Sequence, residues 1–134
     1  TRETFRIKGE STITVNDYQN GRKFDDALCY SFYPIDLHTK NGVIPKHLKR
    51  GVVPTIPRGS LIPKGSTNLM VAGRCLSSDR LANSAARVQA SCMGMGQAAA
   101  CTAVLAAKSS TTPKEVPLGE IHSLLREHGA IVPA

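Results

Sequence analysis

The chain has 134 residues, which is enough for one domain with a modest hydrophobic core. Apolar residues make up 41% of it, which indicates a globular rather than a disordered protein. The net charge of +7 is compatible with an anionic partner or with an ordinary basic surface. The densest basic run, residues 46–50, has no interleaved aromatic residues on which bases could stack, so we expect no binding to nucleic acid.

The four cysteines form neither a CxxC pair nor a zinc-type cluster with histidine. We therefore expect free, buried thiols and no metal site. The sequence shows no signal peptide, which favours the cytoplasm, although a signal on a longer parent chain would lie outside it.

The first 65 residues predict short elements joined by loops. Apolar and polar residues alternate around Gly9 in residues 4–15, which predicts two short strands or a hairpin. Residues 16–19 resemble a capping box, which predicts a short helix that stops at Asn20-Gly21. Residues 27–37 favour β structure up to an interruption at Pro34. Residues 39–65 contain four prolines and predict a long ordered loop with one short strand at Val52-Val53.

The next stretch of the chain differs in composition from the first 65 residues. Residues 68–73 are a continuous apolar run, typical of a strand that is buried on both faces. A polar crossing, residues 77–84, precedes a predicted helix over residues 86–108, whose only charge before its end is Arg87. Because this helix is apolar or small nearly all round, we expect neighbours on all its sides. Its length suits a membrane span, but Ala, Gly, Ser and Gln insert poorly and no aromatic belt flanks it, so we expect no membrane.

A final helix is predicted near the end of the chain. Thr112 as the N-cap, Pro113 at the first position and Glu115 at the third predict its start. Gly129 predicts its end. An amphipathic stripe lies between them, formed by Leu118, Ile121, Leu124 and Leu125.

The predicted strand, the glycine at its end, the loop and the helix together form an arrangement that suits a ligand-binding site. Gly73 would let a ligand approach the backbone, and Gly94 and Gly96 would let the helix lie close to a sheet. The start of the helix presents unpaired N–H groups to an anion. Close packing alone also selects small residues, so the pattern leaves both explanations open.

Residues 68–100, NLMVAGRCLSSDRLANSAARVQASCMGMGQAAA, resemble the C-terminal FAD motif of a family of FAD-dependent oxidoreductases, related in fold to the glutathione-reductase and fumarate-reductase types. Four further blocks resemble the family in the same order: GRKFDDA at 21–27, YPIDLH at 33–38, IPRGSLIPKG at 56–65 and LLREHGAI at 124–131. The resemblance therefore covers nearly the whole chain.

The resemblance implies an α+β fragment, the end of a two-domain flavoprotein with a Rossmann-like FAD domain. Residues 1–60 would belong to the substrate-side region and residues 61–134 to the FAD-binding domain. The GxGxxG turn that binds the ADP half of FAD is absent from this sequence. We therefore expect the chain alone to be inactive and to bind FAD weakly. Its expected partners are FAD, a small-molecule substrate, the rest of the parent chain and, through its apolar faces, a second copy.

The resemblance also implies residue roles. Gly73 and Arg74 would face the pyrophosphate and ribityl part of FAD, although relatives often hold an acidic residue after that glycine. Arg87, Val88 and Gln89 would lie near the flavin N1 and O2 atoms and stabilise negative charge there. A salt bridge that caps the helix is the alternative role for Arg87.

Asp36 and His38 are the candidate catalytic residues on the substrate side. The histidine would move a proton while hydride passes to or from the flavin. A structural His–Asp pair is the alternative. Tyr33 and Lys64 are candidate neighbours. Many relatives have an Arg after a Tyr in the block at 56–65, whereas here Arg58 precedes Gly59, which weakens the case for a substrate-binding Arg.

Two other functions stay open on the sequence. A basic nucleic-acid-binding module would show salt-sensitive binding to DNA or RNA. A non-catalytic domain that kept the fold but lost the flavin would be colourless.

Overall fold

The computed structural model describes residues 5–43 and 45–134, and it shows a small α+β protein. Thr4, where the first predicted segment begins, lies outside these residues. The described elements are four α-helices, a two-stranded sheet and one turn of 3-10 helix at Arg58–Ser60. In chain order they are α1 (Val15–Gln19), β1 (Ala27–Tyr30), β2 (Thr55–Pro57), α2 (Arg80–Ala86), α3 (Gln89–Lys108) and α4 (Leu118–Glu127).

The predicted hairpin near the N-terminus is wrong. The Ile7 N–H donates to the Cys75 carbonyl at 2.8 Å, and the Ile13 N–H donates to the Ser77 carbonyl at 3.1 Å. The segment therefore pairs with distant backbone rather than with itself. Gly9 permits this, because a Cβ built on it would lie 2.7 Å from the Ser77 Cβ and 2.8 Å from the Gly59 carbonyl oxygen.

The short first helix is confirmed, but its cap differs from the prediction. Thr14 caps α1, its side chain accepts from the Asp17 N–H, and the Asp17 carboxylate accepts from the Thr14 N–H in return. Burial alone would raise the pKa of Asp17, but hydrogen bonds from Thr14 and Arg22 together lower it. The helix ends at Asn20, as expected, and Gly21 follows with φ +62°.

The sheet is antiparallel and irregular. Ala27 lies opposite Pro57 and Tyr30 opposite Thr55, with a shift of register between Ala27 and Cys29. The long loop therefore supplies its strand at Thr55–Pro57, not at the predicted Val52-Val53.

The predicted long helix is α3, which starts at Gln89, three residues later than predicted, and a second helix, α2, precedes it. α2 begins inside the predicted polar crossing, because the Asp79 carboxylate accepts from the Ala82 N–H and caps it. The chain then breaks at Val88, whose backbone is extended, before α3 starts. Only α3 corresponds to the helix that we predicted from residue 86.

α3 packs on one side only, against β1 and α4. Its buried face carries Met95, Ala98 and Thr102, while Met93 is 75% exposed. A Cβ built on Gly94 would lie 3.7 Å from the Cys29 side chain on β1, but a Cβ at Gly96 would meet nothing within 4 Å. The expectation of neighbours on all sides, and of a close approach at Gly96, is therefore wrong for the described part of the chain.

The predicted buried strand at residues 68–73 is not formed. The segment has no regular secondary structure, and Leu69 is 52% exposed. The Val71 N–H donates to the Leu61 carbonyl at 2.8 Å, but no strand flanks the segment on either side among residues 5–43 and 45–134. A strand buried on both faces needs such neighbours.

α4 starts later than predicted. Thr112 and Glu115 do make the expected capping contacts, but they close a single turn. The helix proper follows Pro117, which caps it without a side-chain hydrogen bond. Its predicted stripe is confirmed: Ile121 and Leu125 are buried, and Leu118 and Leu124 pack beside them. Gly129, at φ +75°, follows the end of the helix.

One core joins the two predicted segments. Tyr18, Leu28 and Ile56 from the first lie in the same cluster as Met95 and Leu125 from the second. The assignment of the two segments to different domains of a larger protein stays a prediction. The four cysteines are free, and Cys29 and Cys101 are buried as expected.

Candidate functional site

The junction between α2 and α3 forms an open helix start. Val88 occupies the N-cap position of the 20-residue α3, and its apolar side chain makes no hydrogen bond to the backbone N–H groups of the first turn. Gln89 and Ala90, the first two residues of the helix, are exposed. The N–H groups of this turn and their share of the helix dipole are therefore open to a negatively charged group.

Gly73 lies against this helix start. Its φ of +87° suits glycine, and a Cβ there would lie 3.7 Å from the Cys92 Sγ. Cys92 belongs to the first turn of α3, because its N–H donates to the Val88 carbonyl. The next residue, Arg74, accepts a 3.1 Å hydrogen bond at its carbonyl from the Asn83 side chain of α2. The loop at 73–74 is thus held between the two helices.

Arg87 connects the junction to the segment after β1. Its Nη2 donates to the Asp36 carbonyl at 3.1 Å and lies 3.9 Å from the Asp36 Oδ2. The Arg87 side chain is only 11% exposed. The Arg87 N–H also donates to the Asn83 carbonyl and so ends α2. Arg87 therefore has the salt-bridge contact that was the alternative to a flavin contact.

Asp36 in turn holds His38. The Asp36 Oδ2 lies 3.2 Å from the His38 Nε2, and since a carboxylate can only accept, the ring donates from Nε2. Asp36 is itself anchored, because its N–H donates to the Ser84 Oγ of α2 at 3.1 Å. The His38 Nδ1 has no protein partner in the described part of the chain. In the neutral ring this nitrogen carries the lone pair that can take a proton.

The structure thus links the predicted site residues through a continuous set of contacts. It runs from Gly73 through Cys92 to Arg87, and from Arg87 through Asp36 to His38. Val88 and Gln89 follow Arg87 directly.

The weaker candidates lie elsewhere or serve the fold. Lys64 is exposed and lies near Glu10, whose pKa it helps to lower after the larger effects of Lys114 and Gly65. The Arg58 guanidinium donates to the carbonyls of Val116 and, at 3.4 Å, Pro113. Arg58 therefore ties the 3-10 turn to the loop before α4. Tyr33 contributes its carbonyl, which accepts from the Tyr18 hydroxyl at 3.2 Å.

A buried hydroxyl network escaped prediction. The Ser31 Oγ lies 3.0 Å from the Tyr18 hydroxyl and 2.8 Å from the Ser91 Oγ in the first turn of α3. Burial raises the pKa of Tyr18. The network fastens the start of α3 to β1 and α1. Only a helical wheel of α3 could have hinted at it, because Ser91 shares the face of Met95 and Ala98.

The thiols near the site stay protonated at neutral pH. Burial raises the pKa of Cys92, against the opposing effect of Arg74. Burial raises the pKa of Cys29, beneath α3, to about 12. Among the described residues, no group of three or more His, Cys, Asp or Glu side chains could hold a metal ion.

The comparisons with known proteins decide the family. The model of the family described as FAD dependent oxidoreductase matches residues 1–125. The chain belongs to this family. A search of curated proteins and a search of solved structures found no match. FAD is the cofactor of the FAD dependent oxidoreductases, so the resemblance noted in the sequence is confirmed at the level of the family and its cofactor.

The α2–α3 junction fits part of such a cofactor. The uncapped start of α3 suits its anionic or electron-rich atoms, and Gly73 leaves open the space that a side chain would fill beside them.

By length and composition α3 is also the one helix in the described part of the chain that could cross a membrane, a test that core helices of soluble proteins pass as well.

Proposed function

We propose that this chain is the C-terminal part of an FAD-dependent oxidoreductase and supplies the ribityl and isoalloxazine side of its flavin site. The carrying observation is the meeting of Gly73, Arg87 and Asp36 at one uncapped helix start. These residues lie far apart in sequence, and the family match covers all of them. The ADP half of the cofactor would be held by residues outside this sequence, since the GxGxxG turn is absent from it.

In this proposal Gly73 and Arg74 border the pyrophosphate and ribityl part of FAD, while Val88 and Gln89 present the N–H groups of α3 to the ring. When bound, FAD supplies the hydride chemistry, and its reduction adds negative charge at the N1 and O2 edge of the ring. The N–H groups of α3 carry a positive partial charge that favours this state. The Arg87 guanidinium adds a full positive charge behind the helix start, although it contacts Asp36.

His38 is the proposed proton carrier on the substrate side. Asp36 holds the proton on Nε2, which leaves Nδ1 free to accept a proton from a substrate. Asp36 is therefore a positioning residue, and its contacts with Arg87 keep it oriented. The proposed substrate is a small molecule that loses or gains a hydride and a proton.

Arg87→Ala tests the placement of the cofactor in the longest natural form of the chain. A charged contact contributes about 1.5–3 kcal/mol. Because about 1.4 kcal/mol corresponds to 30 mV for a two-electron couple, we expect the midpoint potential of bound FAD to fall by roughly 30–65 mV. His38→Ala should slow turnover and leave the potential nearly unchanged, since His38 acts on the substrate.

Arg126→Ala is the matched control, because it removes an equal charge from the exposed side of α4. It should change neither the potential nor the rate. If Arg87→Ala behaves like Arg126→Ala, Arg87 only closes α2 and binds Asp36, and the proposed position of the ring is wrong.

A further inference from the structure

A cavity lies away from the α2–α3 junction, between the end of α1, the end of β1 and the turn at residues 49–53. Its volume is ≈ 700 Å³, within the range of about 300–1,000 Å³ that small-molecule sites occupy. Its lining is mostly aromatic and aliphatic, formed by Tyr30, Phe32, Val52, Val53 and Ile131. Phe32 is 69% exposed, so the cavity offers a large apolar surface to whatever enters it.

One basic residue contributes to this otherwise uncharged lining. Lys23 is the only charged side chain among the described residues that line the cavity, and none of them is acidic. The Lys23 ammonium has no hydrogen bond or ion pair within residues 5–43 and 45–134. Its neighbour Arg22 is engaged, because it donates to the Asp17 carboxylate at 2.9 Å and covers the Phe24 ring at 4.6 Å. Lys23 is therefore the cation that is available to a ligand.

Two further basic residues immediately precede part of this lining in the sequence. Lys49 and Arg50 lie in a turn that the Val52 N–H closes by donating to the Lys49 carbonyl at 3.1 Å. This turn directly precedes Val52 and Val53 of the lining. An uncharged or cationic ligand would gain nothing from this arrangement, whereas an anion gains Coulombic attraction from each basic group.

The wall of the cavity is formed without a ligand. Gly21 has φ +62°, and a Cβ there would lie 2.8 Å from the Val52 Cγ1. The missing side chain lets Val52 pack directly on the backbone after α1. The Thr55 hydroxyl fastens the same backbone from β2, because it donates to the Arg22 carbonyl at 2.9 Å. These contacts hold this part of the wall in place, which reduces the conformational entropy that binding a ligand would cost.

We propose that this cavity binds a small organic anion with an aromatic or branched apolar body and one carboxylate. The body would lie on Phe32, Val52 and Val53, and the carboxylate would accept from the Lys23 ammonium. A second copy of the chain is a poorer occupant, since both copies would carry a net charge of +7 and would repel each other. The proposal does not depend on the flavin site.

Phenylacetate and its uncharged amide, phenylacetamide, are the probes, titrated into ¹⁵N-labelled protein. We expect saturable shifts of the Gly21, Gly51 and Val53 amides with phenylacetate and weaker binding of the amide. Lys23→Met should weaken phenylacetate about five- to tenfold and leave phenylacetamide unchanged. Lys114→Met, which removes an equal charge outside the lining, should alter neither affinity.

The same titration can overturn the proposal. Equal affinity for acid and amide, shifts at other residues, no saturable shift, or equal effects of Lys23→Met and Lys114→Met would each contradict it. So would sedimentation that shows a dimer whose formation Phe32→Ala abolishes, because a second copy would then cover the cavity. Lys23 is exposed, so Lys23→Met tests the site even if Phe32→Ala fails to fold.

Discussion

Helix α4 and residues 68–73 both carry several apolar residues, yet only α4 packs as its sequence predicts. The apolar residues of α4 lie on one face, so the pattern itself specifies where the partner must be, and α3 and β1 occupy that position. Residues 68–73 are apolar on both faces and need partners on two sides. In the described part of the chain, Met70 and Ala72 pack against the core and the Val71 N–H donates to the Leu61 carbonyl. No strand flanks the segment there, and Leu69 stays exposed. A one-sided pattern can be satisfied locally, whereas a two-sided one depends on a complete sheet.

The largest expected effect compares one leucine from each region. Leu125→Ala should cost about 2–5 kcal/mol of unfolding free energy, because Leu125 is 1% exposed and leaves a cavity beneath α4. Leu69→Ala should cost less than about 1 kcal/mol, because half of that side chain is already in water. Urea unfolding of the two variants measures both values. Equal losses would show that residues 68–73 are as well packed as α4 and would remove the contrast.

A smaller expected effect is a loss of stability at alkaline pH, which depends on how deeply Cys29 is buried under α3. The pKa of Cys29 is raised from 9.0 to about 12, so the unfolded chain loses this proton first as the pH rises. The stability that Cys29 contributes is therefore fully present below pH 9 and is lost as the pH rises from 9 to about 12, with a loss on the order of 1 kcal/mol at pH 10. Cys29→Ala should remove this fall.

Cys92→Ala is the control for this pH dependence, since Cys92 lies at the more open side near Gly73. Burial also raises the pKa of Cys92, but that residue is less deeply buried, so this variant should flatten the alkaline slope less. An alkaline slope that Cys29→Ala leaves unchanged would mean that Cys29 is not enclosed between β1 and α3.

The smallest effect concerns the uncovered face of α3. Gly96→Ala should stabilise the protein by up to about 1 kcal/mol, because the new Cβ meets nothing and alanine favours the helix. Gly73→Ala is the contrasting variant and should destabilise by about 1–3 kcal/mol, because φ there is +87°. Thermal unfolding measures both. Destabilisation by Gly96→Ala would mean that a close neighbour covers this face after all.

How much of the fold could be predicted from the sequence depends on how far apart in the sequence the interacting residues lie. The α1 helix, the stripe of α4 and its glycine end depend on residues a few positions apart, and these predictions hold. The hairpin near Gly9 fails because its backbone pairs with residues 59–63 and 75–77, which no local pattern reveals. Helix α2 was missed because its Asp79 cap lies within a polar stretch that resembles a loop.

The candidate site shows the same division. The family resemblance selected Asp36, His38 and Arg87, but the contact between Asp36 and Arg87 spans 51 positions and is visible only in the fold. Arg58 was considered for the substrate, yet its donors are used on the loop before α4. The hydroxyl network of Tyr18, Ser31 and Ser91 could not be foreseen, because each of these residues is also common at a protein surface.

Hydrogen exchange in the longest natural form of the chain, with FAD bound and with FAD removed, tests the central claim most directly. If the uncapped start of α3 and the Gly73 loop hold the cofactor, FAD should slow exchange at the amides of residues 73–74 and 89–91. α4, which lies outside the proposed site, should change little. Slower exchange that is confined to other segments, or that is equal in α4 and at residues 89–91, would contradict the placement of the flavin at the α2–α3 junction.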